Sequence, residues 1–378
     1  ERENFFNQTD LLFNLDTGPF KHNIITGVEV SRQVTKQHRA RAFWDDGSAN
    51  GTRSQTVSAL NPISASPISW RNRYFNADGS TNSGSVSSDS NHSHSTSVAA
   101  VYIQDHIELH PMVHITAGVR YDRFEQDSRN RNDGSMLKSR DDHISPRFGL
   151  ILKPLKRLSL YGSWSMTHQP RGGDQLKSLS ATNASLAPER MINIEAGIKY
   201  DVLDRLSFTA AFFQLDRTNV IRATNDAGVS VLGSGTRTRG VEAGLNGQLT
   251  DKWNIMASYT YLDATLNDQA KSNAGNTLKE VPHNMYGVWN RYEVTPWLGA
   301  AFGVVGRSAM FAHDNNQVKL PSYARVDAAL YGIINKNLRM QVNIQNLFDT
   351  NYYVAAHNNY NIMPGPPITA RVTLVATF

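Results

Sequence analysis

The chain has 378 residues, no cysteine, 40% hydrophobic and 19% charged residues, and a formal net charge of +5. The lack of cysteine excludes a disulfide scaffold, a thiolate metal site and a cysteine nucleophile. No window approaches the roughly 18 consecutive apolar residues of a transmembrane helix. The pI of about 9.3 suits a nucleic-acid, membrane or anionic-ligand partner. Because the lysines and arginines are spread rather than clustered, we expect no nucleic-acid partner.

Apolar and polar residues alternate along most of the chain. Residues 113–121 show the pattern first at length, and it returns at 192–200, 241–246, 338–345 and 368–377. A period of two places successive side chains on opposite faces of a strand. The pattern predicts fifteen strands, over 5–15, 21–33, 97–109, 113–124, 142–153, 158–168, 189–200, 206–220, 236–249, 253–266, 282–294, 298–307, 322–334, 338–354 and 367–378.

Short and long connections alternate strictly between these strands. Turns such as 16–19 and 110–112 are followed by long polar stretches such as 34–96 and 125–141. A transmembrane barrel sorts its connections in this way, with short turns on the periplasmic side and long loops outside. A soluble two-sheet sandwich also alternates but has no reason to sort its loops, and it is the weaker alternative. The sequence therefore predicts an all-β, transmembrane antiparallel β-barrel with lipid outside.

The number of predicted strands is odd, whereas closed bacterial barrels of this type have an even number. We therefore expect residues 1–378 to be the C-terminal portion of a larger barrel. Barrels of 22 strands with a plugged lumen are one known size, and the direction of the first predicted strand fits the eighth position of such a barrel. About 15 strands of a 22-stranded plugged barrel would then be present, with the first strands absent.

Several ordered segments carry a family resemblance. The C-terminal part reads Asn346-Leu347-Phe348-Asp349-Thr350-Asn351-Tyr352-Tyr353 and then Pro364-Gly365-Pro366-Pro367-Ile368-Thr369-Ala370-Arg371. Upstream lie Val101-Tyr102-Ile103-Gln104-Asp105, Ser145-Pro146-Arg147-Phe148-Gly149-Leu150, Asn193-Ile194-Glu195-Ala196-Gly197 and Thr238-Arg239-Gly240-Val241-Glu242. Taken in order over 97–378, the segments resemble TonB-dependent outer-membrane receptors. The block 169–176 is most similar to the catecholate receptors of the siderophore subfamily.

The resemblance implies a function and a set of partners. It implies an outer-membrane receptor of a Gram-negative bacterium that imports a ferric siderophore, with catecholate types favoured. The iron is carried by the ligand, so the protein needs no cofactor of its own. The energising complex TonB–ExbB–ExbD would act through an N-terminal plug and TonB box that these residues do not contain. Outer-membrane lipid would surround the barrel.

Candidate ligand-binding residues lie in the predicted extracellular loops. Aromatic rings interleaved with arginine suit a planar anionic ligand, because the rings stack on it and the positive guanidinium groups attract its negative charge. In the longest loop, packing of the loop against itself is the alternative for the aromatic residues. The candidates are Trp70, Arg71, Arg73, Tyr74, Phe75, Arg171, Phe311, His313, His357 and Tyr360.

No catalytic residues are predicted, because the sequence has no Gly-x-Ser-x-Gly elbow, HExxH pair or phosphate-binding loop. We interpret His92 and His94 as solvated side chains of a flexible polar loop and predict no metal site. A passive outer-membrane porin is the main alternative, followed by an outer-membrane barrel hydrolase.

Overall fold

The computed structural model describes residues 1–39, 42–44, 68–70, 90–170, 179, 186–223, 230–267 and 273–377. The regular elements in these ranges are strands, and no helix among them is long and apolar enough to cross a membrane. The strands are β1 (Arg2–Thr17), β2 (Phe20–Arg39), β3 (Ala42–Trp44), β4 (Ile68–Trp70), β5 (Ser90–His110), β6 (Val113–Asn130), β7 (Met136–Leu155), β8 (Leu158–Gln169), β9 (Glu189–Leu203), β10 (Leu206–Thr218), β11 (Val220–Ala223), β12 (Ser230–Gly233), β13 (Thr236–Thr250), β14 (Trp253–Leu266), β15 (Asn284–Thr295), β16 (Leu298–Arg307), β17 (Met310–Phe311), β18 (Lys319–Leu320), β19 (Tyr323–Asn335), β20 (Leu338–Gln345), β21 (Tyr353–Asn358), β22 (Asn361–Pro364) and β23 (Thr369–Ala376).

Fifteen of these strands form one antiparallel sheet in which sequence neighbours pair. The order is β1-β2-β5-β6-β7-β8-β9-β10-β13-β14-β15-β16-β19-β20-β23, and the other strands form four small hairpins within the long connections. Two-residue turns such as 18–19 and 111–112 alternate with the longer connections along the sheet. The predicted number of strands, their antiparallel pairing and the sorting of connections are therefore confirmed.

The pairing register gives the sheet one apolar and one polar face. Val372 of β23 lies opposite Val342 of β20, which lies opposite Leu330 of β19. Val372 and Leu330 are 61% and 51% exposed. On the other face, Arg371 lies opposite Asn343. Because lipid accommodates exposed apolar side chains and water does not, the apolar face is the outside of the barrel and the polar face lines its interior.

Several strand ends differ from the predicted ones. β2 and β5 remain paired as far as Arg39 and Ser90, and β6 and β7 extend into the stretch 125–141, which the sequence had predicted to be a loop. Paired strands are joined by backbone hydrogen bonds, so the pairing can continue beyond the membrane even where the side chains are polar. β20 is shorter than predicted, because Asn346 has a left-handed φ of 54° that ends the strand.

The interpretation of His92 and His94 as side chains of a flexible loop is wrong. Both residues lie in β5, where they pair with β2 and β6. Their rings stack at 5.6 Å between centroids with an interplanar angle of 19°. His94 is buried. Positions i and i+2 of a strand share a face, so two histidines at this spacing contact each other once the strand extends this far.

β1 and β23 lie at the two edges of the sheet order. β23 pairs with β20 on one side, as predicted. In the described ranges the recorded pairings do not join β23 to β1. All residues of both strands are exposed, and among the described residues each strand has one backbone edge with no recorded partner strand.

Candidate ligand-binding site

Three neighbouring connections on the long-loop side of the sheet form one structural unit. We name them loop A (residues 273–283), loop B (residues 308–322) and loop C (residues 346–368). Loop A precedes β15, loop B joins β16 to β19, and loop C joins β20 to β23. Loop B contains the hairpin of β17 and β18, and loop C contains the hairpin of β21 and β22.

A small apolar core holds loops B and C together. Met310, Ala312 and Leu320 of loop B are buried together with Ala356 of loop C, and Ile362 packs against them. Burying one large apolar side chain contributes about 1.5–3 kcal/mol to the stability of the packed structure. The two loops therefore pack as a miniature core above the barrel wall.

Side chains of loop B satisfy the backbone of loop A. Asn316 accepts a hydrogen bond from Thr277 N–H at 2.9 Å and donates one to Thr277 O at 2.8 Å. The Asp314 carboxylate accepts the Lys279 N–H at 3.0 Å. Asn276 Nδ2 donates to the carbonyl oxygen of Asp314 at 2.8 Å. A loop backbone bonded in this way has few alternative conformations.

The base of loop C is built by the C-terminal signature. Asn346 is fully buried, its N–H donates to the Asp327 carboxylate at 2.8 Å, and its side-chain amide bonds Thr350 and the Pro366 carbonyl. Arg325 donates to the Tyr352 hydroxyl and to Asp327, both at 2.8 Å. The signature residues thus fold both ends of loop C onto β19.

A buried arginine connects the barrel wall to both loops. Arg307, the last residue of β16, donates to the carbonyl oxygens of Ser308 and Pro321 in loop B at 2.9 and 3.3 Å. Its other terminal nitrogen donates to the Tyr353 carbonyl of loop C at 2.6 Å. The guanidinium group of arginine remains charged at neutral pH.

The structure places four of the predicted binding residues on this unit. His313 and His357 are exposed, and Tyr360 is 96% exposed. Phe311 is half-buried, and the ammonium nitrogen of Lys319 lies 5.9 Å from the centre of its ring. The tips that bear His313 and Tyr360 adjoin, because Asn359 Nδ2 donates to Asn315 Oδ1 at 3.2 Å. Loops B and C thus bring the late-loop candidates onto one surface.

The other six candidates remain predictions. The backbone of Trp70 lies in β4, where it pairs with Ala42 of β3, and its side chain is not described. The remaining five lie outside the described residues; they are Arg71, Arg73, Tyr74, Phe75 and Arg171.

The polar face of the sheet also carries cations that were not among the predicted binding residues. Arg147, Lys153 and Lys199 border a cavity of 890 Å³ that is lined by residues of β5 to β9. In the described part of the chain none of the three pairs with a carboxylate, whereas Arg120 bonds Glu29 and Asp122 at 2.8 Å each. The alternation over 192–200 could have indicated Lys199, because it places that residue on the polar face of its strand.

Among the described residues, no group of three or more His, Cys, Asp or Glu side chains could hold a metal ion.

These features define the wall of a membrane β-barrel with ordered loops at one end, and the comparisons with known proteins assign its family. The family model "TonB dependent receptor-like, beta-barrel" matches residues 3–347. The chain therefore belongs to the TonB-dependent receptor family, as the sequence segments predicted. The family comprises outer-membrane receptors and transporters of Gram-negative bacteria rather than enzymes, so the predicted location is confirmed.

Three relatives illustrate the similarity. The siderophore receptor PiuA of Acinetobacter baumannii is 29% identical over 390 residues, which is 95% of this chain and 50% of the relative. Its crystal structure superposes with a TM-score of 0.82 at 28% identity, covering 99% of this chain and 55% of that one. The metal-pseudopaline receptor CntO of Pseudomonas aeruginosa is 27% identical over 98% of this chain and 51% of its own.

The catecholate siderophore receptor Fiu of Escherichia coli K12 is 24% identical over 97% of this chain and 50% of its own. A closed-form crystal structure of Fiu superposes with a TM-score of 0.80 at 23% identity, covering 100% of this chain and 55% of that one. At this identity the superposition shows the fold alone. The chain spans about half the length of the curated relatives it matches.

Proposed function

We propose that this chain is the C-terminal barrel portion of an outer-membrane receptor that captures a ferric siderophore on its extracellular loops and imports it in a TonB-dependent manner. The observation that carries the proposal is the preformed unit of loops A, B and C above a polar inner wall. A ligand platform has to be ordered before the ligand arrives if binding is not to be weakened by the entropy of ordering the loops. The names of PiuA and Fiu, which are siderophore receptors, support the same class of ligand.

Within this class we propose a catecholate-type chelate. Ferric tris-catecholates are anionic and carry planar rings. Loop B offers an ammonium group over an aromatic ring, at Lys319 and Phe311, and loop C offers the exposed Tyr360. Arg71, Arg73 and Arg171 would add positive charge from the other loops. The name of CntO shows that a relative of similar identity takes a different metal chelate, so the ligand requires a direct test.

The function is tested by uptake of radiolabelled iron into cells that express the complete gene. A ferric catecholate and a ferric hydroxamate are offered separately, with and without a working TonB–ExbB–ExbD complex. We expect uptake of the catecholate alone and only with the energising complex. Equal uptake of both chelates contradicts the catecholate assignment, and uptake without the complex favours a passive porin instead.

Binding measurements on single variants locate the site. We expect Tyr360→Ala to weaken binding by about 1 kcal/mol, because an exposed ring lost from a stacking contact is worth about that much. Replacing Arg71, Arg73 or Arg171 by alanine should cost about 1 kcal/mol each and less at high salt. Arg123→Ala is the matched control, because Arg123 pairs with Glu125 on its own strand at 2.8 Å. Losses as large in this control would contradict the assignment of the site.

A further inference from the structure

Glu280 of loop A makes hydrogen bonds to both other loops. Its N–H donates to the carbonyl oxygen of Phe311 in loop B at 2.8 Å. Its carboxylate Oε1 accepts the N–H of Ala356 in loop C at 2.6 Å. Phe311 is a candidate binding residue, and Ala356 directly precedes another, His357. One residue therefore bonds the backbone at or beside two candidate binding residues.

The backbone of Glu280 is left-handed, with a φ of 58°. This region suits glycine, and a residue with a side chain occupies it at a cost of about 1–3 kcal/mol. Such strain persists only where the surroundings hold it, and it often marks a functional position. The carboxylate of Glu280 supplies a contact that glycine could not supply there.

The hydrogen bonds between the loops give this carboxylate a distinct role. Loops A and B share further bonds through Asp314 and Asn316, and loops B and C share an apolar core. In the described part of the chain, the bond from Ala356 to Glu280 is the recorded hydrogen bond between loops A and C. Without it, loop C would keep its contacts with loop B and with the ends of β16 and β19, but no recorded hydrogen bond of the described residues would fix β21 to loop A.

We propose that Glu280 is the positioning residue of the ligand site. Its carboxylate ties β21 of loop C to loop A, so that Phe311, His357 and Tyr360 are presented as one preformed surface. The consequence for ligand binding rests on the proposed function. The hydrogen bonds by which Glu280 joins the loops, which we call the lock, do not depend on the ligand. Preorganisation of this kind raises affinity because less conformational freedom is lost on binding.

The lock is tested by the distance between loops A and C in the complete receptor in outer membranes. Spin labels are attached at Ala274→Cys and Asn361→Cys after replacement of any cysteine outside residues 1–378, which themselves contain none. The distribution of interspin distances is measured by pulsed electron resonance. Glu280→Gly removes the carboxylate and leaves a backbone that glycine tolerates. Glu280→Gln keeps an acceptor oxygen. Glu125→Ala removes a surface glutamate that pairs only with Arg123 on its own strand among the described residues and is the matched control.

We expect a narrow distribution for the parent, Glu280→Gln and Glu125→Ala, and a broadened one for Glu280→Gly. A distribution for Glu280→Gly as narrow as the parent's overturns the lock. Broadening in the Glu125→Ala control as well would also overturn it, because the effect would not be specific to Glu280.

Ligand affinity is measured in the same variants with the ferric catecholate. We expect Glu280→Gly to bind about tenfold more weakly and Glu280→Gln to remain within about twofold, as for loss of one charged hydrogen bond. If the distances broaden and the affinity does not change, the lock stands and the role of these loops in capture is refuted. If the parent binds no ferric catecholate, the proposed ligand is refuted, and the distance measurement alone decides on the lock.

Discussion

Asn346 combines complete burial, a left-handed backbone and hydrogen bonds to three segments of the chain. Asparagine suits the position for two reasons. It tolerates φ values above zero better than other residues with a side chain, and its amide donates and accepts at the same time. Asn346 therefore ends β20 through its backbone conformation and closes loop C through the hydrogen bonds of its side chain.

This double role gives a graded prediction for Asn346. Asn346→Gly keeps the backbone geometry but leaves buried partners without hydrogen bonds, which should lower the free energy of unfolding by about 2 kcal/mol. Asn346→Ala adds backbone strain of about 1 kcal/mol, so it should be the less stable variant. The measurement is urea-induced unfolding in lipid vesicles together with protease cleavage within loop C. Equal stability of the two variants would contradict a role for the left-handed backbone.

The pKa of His92 predicts how the stability of the folded chain depends on pH. Burial lowers the pKa of His92, and Asp133 opposes this in part. The folded chain therefore takes up this proton less readily than the unfolded chain, in which histidine has its ordinary pKa of about 6.5. The contribution of neutral His92 to stability is fully present above pH 6.5 and is lost as the pH falls below it toward the lowered folded pKa.

The effect should be local to the extracellular end of β5. We expect amide-exchange protection of residues 90–97 to fall between pH 7.5 and pH 5, after correction for the intrinsic exchange rate. His92→Gln cannot titrate in this range, and it should show a smaller fall. The same fall in His92→Gln would assign the effect to another group.

At the scale of elements, the sequence predicted the number and the faces of the sheet strands. Successive side chains of a strand lie on opposite faces, and here one face contacts lipid while the other lines the polar interior. The strands β2, β5, β6 and β7 were predicted too short at the ends nearest the long connections. Backbone pairing outside the membrane requires no apolar pattern, so the sequence did not indicate it. Contacts between loops could not be predicted, because bonds such as Asn359 to Asn315 join residues 44 positions apart. Of the candidate binding residues, those in loops B and C are the ones whose relative positions the described part of the structure gives.

Gly240 illustrates a contact that a single strand cannot reveal. It lies opposite Phe213 across the β10–β13 pair, and a Cβ built at Gly240 would overlap the Phe213 ring. The glycine therefore makes room for an aromatic ring of the neighbouring strand. The contact joins two strands, so it could not be predicted from the sequence before the register of the pair was known.

Disrupting the apolar core of loops B and C should loosen the loops without destabilising the barrel. Leu320 is almost fully buried in it, so Leu320→Ala should remove about 2–5 kcal/mol of loop packing. We expect protease cleavage within loops B and C to accelerate, while the barrel keeps its heat-modifiable migration on gels. Leu374→Ala is the control, because Leu374 lies on the outer face and is 63% exposed. Unchanged cleavage of Leu320→Ala would show that hydrogen bonds alone hold the loops.

At the scale of the whole molecule, the sheet has an apolar outside, a polar inside and two edges. The edges matter most in a bilayer, because the hydrocarbon offers backbone N–H and C=O groups no partner and each unpaired group costs several kcal/mol. β1 has 16 residues and β23 has eight. Both strands combine an apolar face for lipid with an edge that, within the described chain, has no recorded partner strand.

This arrangement predicts how the chain of 378 residues behaves when it is expressed by itself. The two edges either remain unpaired in lipid or pair with edges of other copies, since the edges of a sheet are templates for further pairing. We expect aggregates or misassembled oligomers rather than an inserted monomer. The measurement is insertion into lipid vesicles followed by gel migration with and without heating and by protease digestion. The product of the complete gene is the positive control. A heat-modifiable, protease-resistant monomer from the chain alone would show that β1 and β23 can close on each other, and that the edges described here are not a barrier to assembly.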